Sequence, residues 1–480
     1  MLFTTFTFTV FFIIVLSLWW TIIPKKENYR KVSLIIFSLI FYGWADLRWL
    51  INLTLIGLFT GFIINYLYSL RDKPKQFKLV GILSTIFLLT QLIVWKYVPW
   101  AVMSWNELSF INDKYFITPP EWLYPVGLSF FTFHSLSLIF SVWLERKEPL
   151  SFTESFAHVS FFPALLAGPV LRYNDINYRW KEPWNWKNVD WSAGIFRIML
   201  GMTFKWVFAT KAAEWADPAF QGMTDNAIDT WLSVHAYSLQ IFFDFAGYSH
   251  IALGVAILLG WKLPENFTQP YLSKSVQDFW RNWHRSLSFF FRDYVYIHLL
   301  GGSKNKSQYR ILLNGFFTMV LSGIWHGASF VFILWGIWHG ICLAINHLFK
   351  LFSPFKIPVI ISWFITFEAV TWGWVWFRSS DLDNAIQVFN SAFDFSNFRE
   401  TILNYNFDQS VILWVLAMAT LILFEKFILS FIYKINNKID VEFKGKGISL
   451  TAGTFVLSVW AYIIMYLGPI GVPAFIYNAF

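Results

Sequence analysis

The chain has 480 residues, of which 56% are hydrophobic, 21% aromatic and only 14% charged, whereas a soluble domain carries roughly 25% charged residues. That balance excludes a soluble globular protein and points to an all-α, polytopic membrane protein. The net charge of +8 lies in the segments between apolar runs, so it does not call for a nucleic-acid partner.

Taken in chain order, apolar runs such as Phe8–Trp20, Val80–Val94, Val411–Phe424 and Gly453–Leu467, with their uncharged flanks, approach the ~20 residues needed to cross a ~30 Å hydrocarbon layer. The chain lacks the ~10-residue alternating segments of a β-barrel, which leaves helices. Spans are predicted near 4–23, 32–44, 49–70, 79–97, 123–144, 191–210, 231–259, 311–327, 330–349, 357–377, 411–433 and 448–468, about 11–12 helices in all. The first run has no basic segment before it and no small-residue cleavage site after it, so it is expected to be a retained span and not a signal peptide. The one cysteine, Cys342, can form no internal disulfide. No solenoid repeat and no soluble linker are visible, so residues 1–480 read as one membrane unit, with N-terminal spans in 1–119 and C-terminal spans in 351–480.

The connecting segments divide by charge. Those at 24–31, 71–78, 145–190, 260–310, 350–356 and 434–447 hold 28 Lys and Arg, and those at 45–48, 98–122, 211–230 and 378–410 hold 5, together with 13 acidic residues. The positive-inside rule then places the first set in the cytoplasm and both termini outside it. Within the first set, 153–171 is too apolar to be solvated and too short and Pro/Gly-broken to span, so it is expected to dip into the membrane. Residues 276–300 mix aromatic residues with Arg281, Arg285 and Arg292, the composition of a helix lying in the interface plane, and Trp180–Lys187 reads the same way.

Ionisable groups inside apolar runs are expensive and therefore candidates for function. His326 stands in Leu321-Ser-Gly-Ile-Trp-His-Gly-Ala328, where small neighbours let a substrate or another helix approach. His284 stands in Asp278-Phe-Trp-Arg-Asn-Trp-His-Arg-Ser-Leu-Ser288, and the alternative for it is an interface anchor. His339 lies 13 residues beyond His326, about 220° round a continuous helix, so it faces another surface unless the helix breaks at Gly327. His134, His158, His235, His298 and His347 read as structural or interfacial. Asp244 and Glu368 are intramembrane carboxylates that either pair with an arginine or polarise a histidine. No metal-ligand spacing, Gly-x-Ser-x-Gly elbow, phosphate loop or dinucleotide fingerprint is present, and no metal site is expected. A transporter or flippase with proton-relaying histidines is the reading from another class; its inverted repeats with matching broken helices are not found.

Five segments together resemble the signature blocks of the membrane-bound O-acyltransferases: Tyr124–Phe133, Phe161-Phe-Pro-Ala-Leu-Leu-Ala-Gly-Pro-Val170, Phe242-Phe-Asp-Phe-Ala-Gly-Tyr-Ser249, Phe279–Tyr294 and Ile324–Gly336. The resemblance covers about 120–350 and is to the bacterial branch of alginate and peptidoglycan O-acetylation membrane proteins and the teichoic-acid D-alanylation protein. It implies a ring of helices around a thinned centre, with His326 as the catalytic residue and His284 as the second functional one. Asp244, Tyr248, Trp283, Arg285 and Trp325, in the same blocks, are implied as supporting residues. His134 and His250 depart from the bacterial pattern, and their roles, like that of His339, stay open.

The implied activity is transfer of an acyl group, expected to be acetyl, from a cytoplasmic thioester across the bacterial inner (cytoplasmic) membrane to a cell-envelope or exported polysaccharide. The expected donor is acetyl-CoA, with no bound cofactor; the alternative is D-alanine from a carrier-protein thioester, passed to teichoic acid. Two spans beyond residue 400 make this chain longer than the D-alanylation proteins usually are, which favours acetyl. No extracytoplasmic catalytic domain is expected from these segments, and a separate SGNH-type transferase is expected to complete delivery.

Overall fold

The computed structural model describes residues 1–106, 117–120, 124–224, 226–302, 307–396, 401–403, 411–420, 422–423, 427, 430 and 448–469. The loop predicted at 434–447 lies outside the described residues, as do parts of 98–122 and 378–410 and the end of the span predicted at 411–433. Among the described residues every regular element is helical. The chain forms two compact units, Met1–Asp190 with Val255–Pro264, and Trp191–Gly254 with Glu265–Ala479.

The first unit is built from α1 (Phe6–Ser17, prolonged by a π-helical stretch Leu18–Ile22), α2 (Glu27–Gly43), α3 (Leu47–Ser69), α4 (Pro74–Asn106), α5 (Leu128–Trp143), α6 (Phe152–Val159), α7 (Phe162–Leu165) and α8 (Tyr173–Trp180). Their starts carry the chemistry that satisfies the orphan amides of a first turn. The Thr5 hydroxyl accepts from Phe8 N at 3.2 Å. At α6, Ser151 N donates to Glu154 Oε2 at 2.8 Å while Glu154 N donates to Ser151 Oγ at 3.4 Å, a reciprocal capping box. The segment predicted to dip into the membrane is two short helices, α6 and α7, broken at Ser160–Phe161, with Val159, Phe161, Phe162, Ala164 and Leu165 fully buried. Gly127, at φ +81°, opens α5; a Cβ there would lie 2.6 Å from the Leu165 carbonyl oxygen, so only glycine lets α5 start this close to α7. Residues 180–187 end α8 and enter a 3₁₀ turn at Trp186–Asn188.

The second unit holds α9 (Trp191–Met202), a π-helical stretch Thr203–Ala209, α10 (Thr210–Phe220), α11 (Ala227–Leu259, whose last turn is counted with the first unit), α12 (Val276–Asn282), α13 (Arg285–Phe290), a π-helical stretch Phe291–Leu299, α14 (Gln308–His326), α15 (Phe330–Phe352), α16 (Val359–Arg378) and α17 (Leu382–Ala392). Five helices are long and apolar enough to cross a membrane: α3, α4, α11, α15 and α16. Shorter apolar helical stretches lie at Phe6–Ile22, Leu128–Trp143, Val411–Thr420 and Leu457–Leu467. The chain is thus an all-α multi-pass membrane protein. Helix α4 reaches further than the span predicted at 79–97, running through Pro99 to Asn106, because its apolar residues continue past that proline. The stretch predicted as one interfacial helix at 276–300 is three helical pieces, jointed at Trp283–His284 and widened into a π-helical stretch from Phe291.

Candidate functional site

All seven residues singled out for function lie in the second unit. His326 is the last residue of α14, and the chain leaves it through an extended Gly327 and Ser329 before α15 begins. The helix therefore breaks where a continuous one would have put His339 on another surface. The turn folds α15 back against α14, and the small residues decide how closely. A Cβ on Gly323 would stand 2.2 Å from the Phe332 carbonyl oxygen, and one on Gly336 2.6 Å from that of Met319. The glycines of α14 and α15 thus admit close approach of the two helices.

This hairpin places Trp335 against His326, ring centroids 4.9 Å apart and nearly perpendicular. Trp325 at 4.8 Å and Phe377 of α16 at 5.1 Å complete an aromatic enclosure. Trp335 also meets His339, one turn further along α15, at 5.0 Å, and His339 is fully buried between it, Trp280 at 4.9 Å and Trp374 at 6.0 Å. Both histidines therefore share one indole. Trp335 and His339 are four residues apart and fall on one helix face, a signal present in the sequence that pointed to Trp335; the motif reading passed over it.

His284 sits at the joint between α12 and α13 in the left-handed region, at φ +41°, a conformation that costs a non-glycine residue of order 1–3 kcal/mol and persists where surroundings over-determine it. Its ring packs edge-on against Phe245 of α11 at 4.6 Å, and its Nδ1 lies 3.2 Å from Asn266 Oδ1. Burial pushes its pKa down to about 3, so the imidazole is neutral at physiological pH. Trp283 beside it packs on Trp374 at 4.9 Å, and Trp374 stacks on Trp335 at 6.2 Å. A run of three indoles, Trp283, Trp374 and Trp335, thus connects the backbone at His284 with the ring of His326. Arg285 opens α13 with its guanidinium 5.5 Å from the Phe289 ring.

The intramembrane carboxylates have specific partners. Asp244 on α11 is ion-paired with Lys205 in the π-helical stretch after α9, both side chains almost fully buried; the partner is a lysine where an arginine was expected. Tyr248, one turn on from Asp244, is buried as well. Glu368 takes the other expected course and polarises a histidine: its Oε1 lies 3.0 Å from His235 Nε2, and Trp372 Nε1 donates to its Oε2 at 3.1 Å. His235 therefore belongs to a defined pair, and its Nδ1 donates to the Trp231 carbonyl at 2.8 Å. Arg197 Nη1 meets His250 Nδ1 at 3.3 Å and Glu265 Oε2 at 3.1 Å; a guanidinium only donates, so His250 accepts through Nδ1. His134 lies inside α5, fully buried against His158 at 6.0 Å, and not at a span edge. Lys205, Arg197 and Asn266 were not singled out in the sequence. A lysine in an apolar run signals an intramembrane charge, whereas Asn266, in a loop 18 positions before His284, carries no local signal.

Residues 125–378 match the family model of MBOAT, the membrane-bound O-acyltransferase family. The chain is 35% identical over 388 residues to the probable alginate O-acetylase AlgI of Pseudomonas aeruginosa, covering 79% of this chain and 72% of that one. It is 30% identical over 406 residues to the peptidoglycan O-acetyltransferase of Helicobacter pylori, covering 76% and 74%. Against the teichoic acid D-alanyltransferase of Bacillus subtilis it is 30% identical over 312 residues, covering 62% and 75%.

Proposed function

This chain belongs to the membrane-bound O-acyltransferase family, and from that premise we propose that it takes an acetyl group from a cytoplasmic thioester and passes it across the bacterial cytoplasmic membrane for O-acetylation of an envelope or exported polysaccharide. The carrying observation is His326, an imidazole at a helix end, enclosed by Trp325, Trp335 and Phe377 in the segment where the family motif falls. In the reaction His326 accepts the proton of an acceptor hydroxyl as its oxygen attacks the thioester carbonyl. The C–S bond breaks, and the departing thiolate takes up a proton, so the sum is ester plus thiol with none left over. The low-polarity wall of rings keeps water from competing as the nucleophile. His284 assists as a neutral base or hydrogen-bond acceptor, with Trp283, Trp325, Arg285, Tyr248 and the Lys205-paired Asp244 holding the surrounding structure.

Acetyl-CoA suits the donor role because the segment 260–310 supplies Lys274, Arg281, Arg285 and Arg292 for its phosphates. Acetyl is favoured over D-alanyl by the extent of the likeness: the alginate O-acetylase of P. aeruginosa aligns over 79% of the chain and the D-alanyltransferase of B. subtilis over 62%. Delivery to the polysaccharide is completed by a separate extracytoplasmic SGNH-type transferase.

The test is ester release from purified envelope polysaccharide, with membrane levels followed by immunoblot. A general base contributes ~10²–10⁴-fold, so His326→Gln, which fills the enclosure better than alanine, should remove detectable ester while the protein still accumulates. His284→Ala should lower ester strongly. His339→Ala, which hollows out a site among three indoles, should lower protein level and ester together. Full ester content in the His326 variant would end this reading, as would reconstituted protein that moves an intact solute and consumes no thioester.

A further inference from the structure

The bonds around Asn266 settle a question of proton placement. Asn266 is 1% exposed, and one atom of its side chain receives three groups: His284 Nδ1 at 3.2 Å, Ser286 Oγ at 2.9 Å and the Ser286 backbone nitrogen at 3.3 Å. A backbone N–H only donates, so the receiving atom is the amide oxygen and the side chain is not flipped. The other amide atom, Nδ2, donates to Ser249 Oγ on α11 at 3.3 Å, which agrees. An amide oxygen accepts and cannot donate, so Nδ1 of His284 carries the hydrogen. In a neutral imidazole that leaves the lone pair on Nε2.

The backbone adds two bonds of its own to those the amide makes. Arg285 N donates to the Asn266 carbonyl at 2.9 Å, and Thr268 N donates to the Asn282 carbonyl at 3.1 Å. The two segments are thereby laced together on both sides of the left-handed His284. The side chain of Asn266 adds its oxygen as an acceptor for Nδ1 beside the neighbouring ring, Phe245 at 4.6 Å, and the histidine's own backbone carbonyl also accepts from the ring.

We propose that Asn266 is the positioning residue that holds His284 as its Nδ1–H tautomer and so makes Nε2 the proton-accepting atom of that histidine. This rests on the reading that His284 acts in the transfer. It assigns His284 a direction: Nε2 accepts a hydrogen bond or proton from a hydroxyl or thiol, and does not donate one to a carbonyl oxygen.

The experiment is ¹⁵N NMR of the full chain in nanodiscs with labelled histidine, the His284 signals being those lost in His284→Gln. Wild type should show a protonated Nδ1 and a bare Nε2. Asn266→Leu, which keeps both backbone bonds and removes the oxygen, should shift population to Nε2–H. Envelope ester should fall ~10–100-fold, the range that loss of the hydrogen-bonded partner of a metal-bound histidine carries. Asn266→Asp, which keeps an accepting oxygen, should preserve the Nδ1–H form and most of the ester. Should the leucine variant not accumulate, Asn266→Ala removes the same oxygen without added bulk. A protonated Nε2 in wild type, or an unchanged Nδ1–H form once the oxygen is gone, overturns the proposal. Full ester in His284→Gln together with the expected tautomer change would instead sink the functional reading of His284 and leave the tautomer assignment standing.

Discussion

Lys205 and Asp244 pose the sharpest question at the scale of single residues, because each charge is nearly inaccessible and the two are ion-paired. A buried pair is weak evidence for stability in itself, yet removing one member leaves an uncompensated charge and costs ~3–5 kcal/mol, whereas replacing both with apolar groups is often neutral. Lys205→Met should therefore lower the melting temperature of the purified protein in detergent markedly, and Asp244→Leu added to it should restore most of the loss. If the double variant melts no higher than the single, the pair is not an isolated charge couple. The same contact shows what could be read beforehand. Asp244 was legible as an intramembrane carboxylate, because one apolar run suffices to mark it. Lys205 is marked by its own apolar run in the same way, but the pairing was not legible, since Lys205 lies 39 positions away and meets Asp244 only once the π-helical stretch packs on α11. Asn266 and His284 are a second case: the histidine stands in a recognisable block, and the residue that fixes its proton stands outside it.

At the scale of elements, the α14–α15 hairpin shows why the spans could be read while the distances between them could not. The apolar runs and the break at Gly327 are local properties of sequence, and the helices end within a few residues of where those signals lie. How close two helices approach depends on which glycines face each other. Gly323 and Gly336 do, each with a backbone carbonyl oxygen under 3 Å from where a Cβ would stand, whereas Gly315 on the same α14 has nothing within 4 Å. Overpacking at such a contact costs ~1–3 kcal/mol, while an exposed helical glycine gains up to ~1 kcal/mol on becoming alanine. Gly323→Ala and Gly336→Ala should thus lower membrane accumulation and envelope ester together, because Trp335 is carried away from His326, and Gly315→Ala should leave both unchanged or raised. Equal behaviour of the three variants, read by immunoblot and ester assay, would show that the hairpin tolerates separation.

At the scale of the whole molecule, the proposed direction of transfer depends on which ends of the helices face the cytoplasm, and the charge asymmetry of 28 Lys and Arg against 5 is what supports the proposed orientation. The proposed transfer, from a thioester in the cytoplasm to a polysaccharide outside, requires the site to be reached from both faces, so the layout and the proposed activity stand together. The helix limits refine where the layout is tested. Reporters belong at 71–73, ahead of Pro74, because an insertion at 74–78 would cut the first turn of α4, and beyond Asn106, where α4 ends. On the far side of α16 they belong after Ala392, clear of α17, whose start is capped by Asp381 accepting from Asn384 N at 2.8 Å. Fusions at 71–73 should report cytoplasmic, and those placed after Asn106 and after Ala392 should report extracytoplasmic, when read with paired phosphatase and fluorescent-protein reporters. Excess lysine and arginine act mainly in short loops close to the membrane, and Arg71 and Lys73 beside the end of α3 meet that condition, so neutralising both should weaken the 71–73 assignment more than changing any single acidic residue in 378–410. The reverse pattern of reporters would invert the molecule and place the basic segment 260–310, with His284 at its joint, outside the cell and out of reach of a cytoplasmic thioester.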